Sequence, residues 1–254
     1  MGSEKEKKER ADKLLTDQGL ARSRTQAQAL IMAGVVCLGD QLIKKASELF
    51  PIDTKFRIKE GAVPKYVSRG GEKMEGALEN AGLNVKDFRV LDVGISTGGF
   101  SDCLLQKGAQ SILGLDVGKN QLDWKLRNDP RVTAYEGINA RALPEGLVEG
   151  LIGGGFDLVV IDVSFISLTL VLPQTIKYMK PQGYMLVLIK PQFEVDKAQV
   201  GKGGIVKDPL LHQQVQEKIK KLSESLGLVD FKIFESPIEG TDGNKEFFIF
   251  ARHP

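Results

Sequence analysis

The stretch LDVGISTGGF, residues 91–100, joins an apolar run and an acid to a turn of small residues. Glycines in such a turn let the backbone approach a bound group closely. A second acid, Asp116, closes the next apolar run 22 residues after Gly94, where a carboxylate can accept both hydroxyls of a cofactor ribose. The spacing predicts a nucleotide-cofactor site, with contacts from Asp92, Gly94, Ser96, Thr97, Gly98, Gly99, Asp116 and Val117.

Ser96 indicates which cofactor this turn suits. In the dinucleotide-binding pattern G-x-G-x-x-G, the middle glycine lets the backbone press against a pyrophosphate. Here Ser96 takes that place, between Gly94 and Gly99. S-adenosylmethionine has an amine and a sulfonium in place of a pyrophosphate, and an acid and backbone carbonyls can serve both groups. The turn therefore favours S-adenosylmethionine, while NAD and a purely structural turn stay open as alternatives.

Four further polar residues occur at the ends of predicted strands or helices. The runs VVID and VLIK end in Asp162 and Lys190, and a lysine is costly to bury there without a partner or a task. Lys73 lies in YVSRGGEK, just before the first predicted helix of this region, and Glu246 starts the last predicted strand. Because strand ends in a doubly wound sheet lie side by side, we expect these four side chains to meet.

A Lys-Asp-Lys-Glu set suits methylation of a ribose 2′-hydroxyl. The reaction is an in-line displacement on a sulfonium methyl, and the hydroxyl must lose its proton as it attacks. A lysine can accept that proton only if its pKa is depressed from about 10.4, and a neighbouring ammonium and partial burial both act in that direction. We expect Lys190 to be the base, Asp162 and Glu246 to orient the lysines, and Lys73 to position the ribose or its phosphate. The two lysines could also exchange roles.

The elements that must position these residues form two regions. After residue 65, seven apolar runs alternate with helical stretches, which is typical of an α/β fold with a Rossmann-like, doubly wound, mostly parallel sheet. We predict a small domain over residues 1–60, a linker over 61–64 and an S-adenosylmethionine-dependent methyltransferase domain over 65–254. The predicted strands are 89–93, 111–116, 132–136, 158–162, 184–189, 231–237 and 245–251.

The first 60 residues have a different pattern. Two short helices are predicted in ADKLLTDQGL and in SRTQAQALIMAG, the second with Ser23 as N-cap and Gly34 at its end. A hairpin around Gly39 and a short strand in KFRIK follow. Lys and Arg number 12 against 9 Asp and Glu, a balance of +3, whereas the remainder has 23 against 24, a balance of −1. The small region therefore carries the positive excess.

The pattern R-x-D-K-L-L, then S-R-x-x-A-x-x-x-I-x-x-G-x-V-x-x-G, then K, from Arg10 to Lys44, resembles the RNA-binding domain of the ribosomal-protein-S-four type. In such domains the start of the second helix and the basic hairpin face structured RNA. Cations there neutralise backbone phosphates and displace counterions. The resemblance implies RNA contacts by Arg22, Ser23, Arg24, Lys44 and Lys45, and we add Lys65 and Arg69 at the start of the second domain.

Across nearly the whole chain the sequence resembles the TlyA, or hemolysin A, family, which is similar to FtsJ-type ribose methylases. The motifs are YVSRGGEK, LDVGISTGGFSDCLLQKGA, LDVGKNQLDWKLRNDPRV, IDVSFISLTLVLP, LIKPQFE, GKGGIVKDP and GNKEFFIF. The resemblance implies a 2′-O-methyltransferase for cytidine in ribosomal RNA, with ribosomal subunits as partners and S-adenosylmethionine as cofactor. It places the catalytic tetrad on Lys73, Asp162, Lys190 and Glu246. Ile95 and Gly137-Ile138 depart from the family's pattern, and Asn139 is the candidate adenine contact.

Composition limits the remaining classes. The chain has 254 residues, a net charge of +2 and two cysteines, which indicates a reducing, cytoplasmic environment without a disulfide framework or a zinc site. No metal is expected. No run reaches the roughly 18 to 20 apolar residues that span a bilayer. A membrane-lytic protein and a non-catalytic ribosome-assembly factor are the competing functions. The segment VGKGGIVKDP, residues 200–209, is predicted to be mobile and to order on RNA.

Overall fold

A computed structural model of the chain describes residues 7–21, 23–59, 64–143, 155–240 and 243–254. The chain divides into two compact units, Met1–Pro64 and Lys65–Pro254. The first unit contains β1 Lys8–Arg10, α1 Ala11–Asp17, α2 Arg24–Met32, β2 Val36–Leu38, β3 Gln41–Leu42, β4 Leu49–Pro51 and β5 Arg57–Ile58.

The local signals of the first unit act as predicted. The Ser23 hydroxyl accepts a hydrogen bond from the Gln26 amide at 3.2 Å and thus caps α2. The predicted hairpin joins β2 to β3 around Gly39, and the KFRIK strand is β5, which pairs with β2 on its other side. Strands β1 and β4 were not predicted, because each has three residues and they pair across some 40 positions of the chain.

The second unit alternates strands and helices. Its elements are α3 Gly70–Ala81, β6 Arg89–Val93, α4 Gly99–Gln106, β7 Ser111–Asp116, α5 Trp124–Arg127, β8 Val132–Glu136, β9 Phe156–Ile161, α6 Leu168–Thr175, β10 Met179–Ile189, α7 Pro209–Ser225, β11 Val229–Glu235 and β12 Phe247–Arg252. Lys73 lies inside the first turn of α3, so the prediction that it precedes the helix was wrong.

The seven strands form one sheet in the order β11-β12-β10-β9-β6-β7-β8. Strand β12 is antiparallel to both of its neighbours, and the other pairs are parallel. The chain leaves β6 toward β7 on one side and later returns to β9 on the other. The strand order therefore reverses at β6, where a crevice opens at the carboxyl ends of the strands. The predicted α/β class and doubly wound sheet are confirmed.

Both faces of this sheet are covered. Along β10, Met185, Val187 and Ile189 belong to one buried cluster, whereas the alternate residues Leu186 and Leu188 belong to the other. A strand that is buried on both faces reads as a continuous apolar run, which is why YMLVLI lacks alternation. The run ends at Ile189, and the polar residue that follows, Lys190, lies just beyond the carboxyl end of the strand.

Candidate active site

The turn after β6 follows a path that requires glycine at Gly94. This residue has φ of +86°, and a Cβ built on it would lie 2.2 Å from the backbone carbonyl oxygen of Asp162. Ser96 also has a positive φ, of 48°. The turn therefore lies directly against the end of β9 and leads into α4, which begins at Gly99.

Asp116, at the end of β7, holds this turn from the other side. Its Oδ2 accepts a hydrogen bond from the Ser96 amide at 2.8 Å, and its Oδ1 accepts one from the Gly118 amide at 2.6 Å. Each oxygen of a carboxylate can accept a further bond. The Ser96 hydroxyl in turn donates to Gln121 Oε1 at 3.2 Å. Asp116 is thus fixed in place and still able to receive a ligand's hydroxyls.

A first cavity of about 490 Å³ opens beside Asp116. Asn139 lies on its wall and is oriented by its own turn, because its Oδ1 accepts a hydrogen bond from the Arg141 amide at 3.0 Å. The other predicted cofactor residues on this wall are Gly94, Ser96 and Val117. The structure therefore gathers residues from the ends of three neighbouring strands around one space.

A second cavity of about 400 Å³ adjoins the first. The two share wall residues Gly94, Ser96, Asp162, Ser164 and Phe165. The second is also lined by Thr97 and Gly99 of the turn, and by Lys73, Lys190 and Glu246. All four members of the predicted Lys-Asp-Lys-Glu set therefore lie on one wall, although Lys73 and Glu246 are 173 positions apart in the chain.

The four residues form two ion pairs. Lys73 Nζ lies 2.5 Å from Glu246 Oε2, and Lys190 Nζ lies 2.6 Å from Asp162 Oδ1. Lys190 also donates to the Ser164 hydroxyl at 2.9 Å. The side chains of both lysines are about nine-tenths buried, and such charges are tolerated because each has its counter-ion within contact distance.

Asp92 lies behind the turn and not on either cavity wall. The residue is 1% exposed, and its Oδ2 accepts a hydrogen bond from the Ser101 hydroxyl of α4 at 2.6 Å. Burial, with smaller effects from the charges of Asp162 and Asp116, raises the pKa of Asp92 to about 7. Gly98 likewise faces the side chain of Leu126 and does not line a cavity. These two residues therefore lie away from both cavity walls, and their contact with the cofactor stays a prediction.

The raised pKa of Asp92 predicts a pH dependence of stability. The folded protein binds this proton more tightly than the unfolded chain, whose aspartate has a pKa of about 3.9. The contribution of Asp92 is therefore most favourable below about pH 4 and is lost as the pH rises through about 7. We expect the free energy of unfolding of wild type, relative to Asp92→Asn, to fall between pH 5 and pH 8 in urea titrations. The exposed variant Glu217→Gln is the control. If the difference between wild type and Asp92→Asn changes with pH no more than the difference for this control, the assignment is contradicted.

The predicted RNA contacts of the first unit lie in different surroundings. Lys44 and Lys45 are exposed, whereas Arg24 forms an ion pair with buried Asp12, with its Nη2 atom 3.2 Å from Asp12 Oδ2. Hydrogen bonds from Arg10, and further ones from Gln28 and Arg24, hold the pKa of Asp12 well below its usual range. Ser23 caps α2, and Arg22 lies outside the described residues. Arg24 thus has a structural partner, although about half of its side chain stays exposed.

Of the two predicted contacts at the start of the second unit, Arg69 lines one of the two cavities described above and Lys65 lines neither. Arg69 lines the second cavity and donates to the Glu239 carbonyl oxygen at 3.1 Å. Lys65 pairs instead with Glu75 at 2.6 Å and lies on neither wall.

Phe165 is a wall residue that the sequence reasoning missed. The residue is 91% exposed, its φ is +64°, and the centroid of its ring lies 5.0 Å from that of Phe193. It lines both cavities. An aromatic residue three positions after the acid that ends β9 was the available signal, because a loop at a strand end is where such a side chain becomes exposed at a site.

Two general properties concern only the part of the chain that is described. Within it, no group of three or more His, Cys, Asp and Glu side chains is arranged to hold a metal ion. No helix there has the length and apolar character needed to cross a membrane.

Comparison with known proteins identifies relatives of both units. The FtsJ-like methyltransferase family matches residues 66–253, and the S4 domain matches residues 9–51. The putative rRNA methyltransferase YqxC of Bacillus subtilis is 43% identical over 249 residues, covering 98% of this chain and 87% of the relative. The 16S/23S rRNA (cytidine-2′-O)-methyltransferase TlyA of Mycobacterium tuberculosis is 42% identical over 243 residues, covering 96% and 89%.

A solved structure is similar to this chain over nearly its full length. The putative hemolysin from Streptococcus thermophilus superposes with a TM-score of 0.71 at 39% sequence identity. The superposition covers 98% of this chain and 89% of the other. The predicted resemblance is confirmed over nearly the full length.

Proposed function

This chain belongs to the FtsJ-like methyltransferase family and carries an S4 domain ahead of the family's domain, and from this premise we propose that it methylates the ribose 2′-hydroxyl of cytidine in ribosomal RNA. The observation that carries the proposal is the meeting of Lys73, Asp162, Lys190 and Glu246 on the wall beside the glycine turn. We place the enzyme in the cytoplasm, with ribosomal subunits as its substrates.

The residues around the turn fit S-adenosylmethionine as the methyl donor. Both oxygens of Asp116 retain acceptor capacity for a ribose diol, and Asn139 lies on the same wall. Gly94 lets the turn lie directly against the end of β9, and its backbone lines both cavities there. When bound, S-adenosylmethionine supplies an electrophilic methyl group on a sulfonium. The adjoining cavity then has to hold the hydroxyl in line with that methyl group.

Lys190 is our candidate for the group that accepts the hydroxyl proton. Its partners Asp162 and Ser164 lie on the wall common to both cavities, where hydroxyl and methyl must meet. Glu246, the partner of Lys73, lines the second cavity only. Lys73 is therefore placed to hold the ribose or its phosphate. Alignment of the reacting atoms accounts for a large part of the expected acceleration.

Recognition of RNA in this proposal has two parts. At the site, Phe165 offers an exposed face on which an unpaired base can stack, and Arg69 offers a cation at the same cavity. In the first unit, Lys44, Lys45 and the exposed part of Arg24 supply phosphate contacts, with Arg22 and Ser23 predicted beside them. A tethered RNA-binding unit raises the local concentration of substrate at the second unit.

The test is transfer of a tritiated methyl group from S-adenosylmethionine to ribosomal subunits from cells that lack this chain. Primer extension sensitive to ribose methylation locates the label. We expect label on cytidine 2′-oxygens, with little transfer to subunits that are already modified. Label on a base would contradict the proposed chemistry. RNA binding without any transfer would indicate an assembly factor, and lysis of erythrocytes by purified protein would indicate a membrane-active one.

A further inference from the structure

The loop of residues 200–208, which follows Lys190 in the chain, is held by a buried side-chain amide. Asn244 is 1% exposed, and both the oxygen and the nitrogen of its side-chain amide form hydrogen bonds with the loop. Its Oδ1 accepts a hydrogen bond from the Val206 amide at 2.9 Å, and its Nδ2 donates to the Gly204 carbonyl oxygen at 3.0 Å. The Gly201 amide closes the turn by donating to the Ile205 carbonyl oxygen at 3.0 Å.

A second contact fixes the same point of the loop. His212 Nε2 lies 2.8 Å from the Val206 carbonyl oxygen, and the imidazole packs against the ring of Phe247 at 5.4 Å between centroids. Val206 itself is 2% exposed. The sequence-based expectation of a loop that orders only on RNA does not agree with these contacts, because its middle is anchored in the protein.

This anchor lies next to the four-residue site. Asn244 is two positions before Glu246, and β12 then begins at Phe247, which is paired with Ile189, the residue before Lys190. The loop and both ion pairs therefore lie at the same end of the strands of this sheet. Because only two peptide units separate the two residues, a displacement of Asn244 would also shift Glu246.

The loop presents two cations to solvent. Lys202 and Lys207 lie on either side of the anchored Val206, and both are exposed. Over the described ranges, neither has an ion-pair or hydrogen-bond partner, unlike Lys73 and Lys190. Two uncompensated charges on a fixed turn form a surface complementary to phosphates, and a prefolded surface loses less entropy on binding than a mobile one.

We propose that the loop of residues 200–208 is a preformed phosphate-binding surface for the RNA strand that enters the second cavity. Lys202 and Lys207 contact backbone phosphates beside the target nucleotide. Asn244 is a positioning residue that keeps both lysines in register with Glu246. The inference rests on the proposed function, since it names how the substrate of that same site is held.

The test is the double variant Lys202→Gln/Lys207→Gln in the full chain, with ribosomal subunits from cells lacking this chain as the probe. Binding is measured without cofactor between 50 and 200 mM salt (about the range over which phosphate contacts are resolved). We expect affinity to fall about tenfold and the slope of log K against log salt to decrease by about 1.4 to 1.8, or about 0.7 to 0.9 per lost contact. The affinity for S-adenosylmethionine should not change.

The matched control is Lys220→Gln/Lys221→Gln, which removes the same charge from the far end of α7. If both double variants change the salt slope equally, the surface assignment is overturned. If wild type shows no methyl transfer but the loop variant alone loses RNA affinity, the proposed function fails and the surface stands. If wild type methylates RNA and the loop variant binds like wild type, the function stands and the surface fails.

The role of Asn244 has its own readout. Asn244→Ala should abolish the protection of the Val206 amide against hydrogen exchange and raise the KM for ribosomal subunits, with cofactor affinity retained. Retained protection, or an unchanged KM despite lost protection, would overturn the positioning role. Asn244→Asp keeps the acceptor for the Val206 amide and loses the donor to Gly204, so it should give an intermediate KM. If Asn244→Ala does not fold, the lysine variants still decide the proposal.

Discussion

Lys190→Ala is expected to lower the rate of methyl transfer by about 10²- to 10⁴-fold, the usual contribution of a positioned acid or base. The variant removes the amine that lies between Asp162 and Ser164 on the wall shared by the two cavities. Lys190 lines only the second cavity, and the first cavity is the one beside Asp116 that we assign to the cofactor. The affinity of the variant for S-adenosylmethionine should therefore stay within about twofold of the wild-type value, because the lost interaction acts in the transition state. Single-turnover transfer and calorimetric cofactor binding measure the two quantities separately.

Two further variants separate a base from a cation. Lys190→Arg keeps the positive charge, but a guanidinium does not deprotonate in proteins, so this variant should be about as inactive as the alanine variant. Lys73→Ala should also lower the rate, yet it should keep the rise of rate with pH that an ionising base produces. Lys221→Ala, on an exposed part of α7, is the control for loss of a lysine. Substantial activity of Lys190→Arg would show that Lys190 acts only through its charge.

Gly94→Ala is expected to abolish measurable binding of S-adenosylmethionine. A methyl group at this position would lie 2.2 Å from the Asp162 carbonyl oxygen, which is backbone and cannot rotate away. The turn would have to move off the end of β9, and the hydrogen bond from Ser96 to Asp116 would be displaced with it. Isothermal titration with S-adenosylmethionine and thermal unfolding of the same sample measure the loss of affinity and of stability.

The matched control is Gly82→Ala, at the end of α3. Gly82 has φ of +70°, close to that of Gly94, but nothing lies within 4 Å of the position of an added Cβ. Its cost should be the left-handed strain alone, about 1–2 kcal/mol, with cofactor affinity unchanged. Equal effects of the two substitutions on binding would mean that strain, and not the contact with Asp162, decides the shape of the turn.

Local signals in the sequence located the seven strands of the second unit, although β10 begins five residues before its predicted start, and they located the ends of α2. Apolar runs bounded by turns, Ser23 as a cap and the hairpin at Gly39 all involve neighbours within a few residues. The start of α3 was placed too late, because Gly70 and Gly71 are poor helix formers. Tertiary packing overrides this low helix propensity. Gly71 lies so close to Tyr66 that an added Cβ would be 2.2 Å from its ring, so the packing requires glycine at this position of the helix.

The chemistry available to the site could be read from the sequence, because charge, nucleophilicity and the freedom of glycine belong to the residue types. Lys73, Asp162, Lys190, Glu246, the glycine turn and Asp116 were all identified in that way. The pairing of Lys73 with Glu246 and of Lys190 with Asp162 was decided only by the folded chain, because the first pair spans 173 positions. Burial likewise depends on residues distant in sequence. Burial placed Asp92 in the interior and left Phe165 exposed, and a hydrogen bond between Val206 and Asn244, 38 positions apart, anchors the loop.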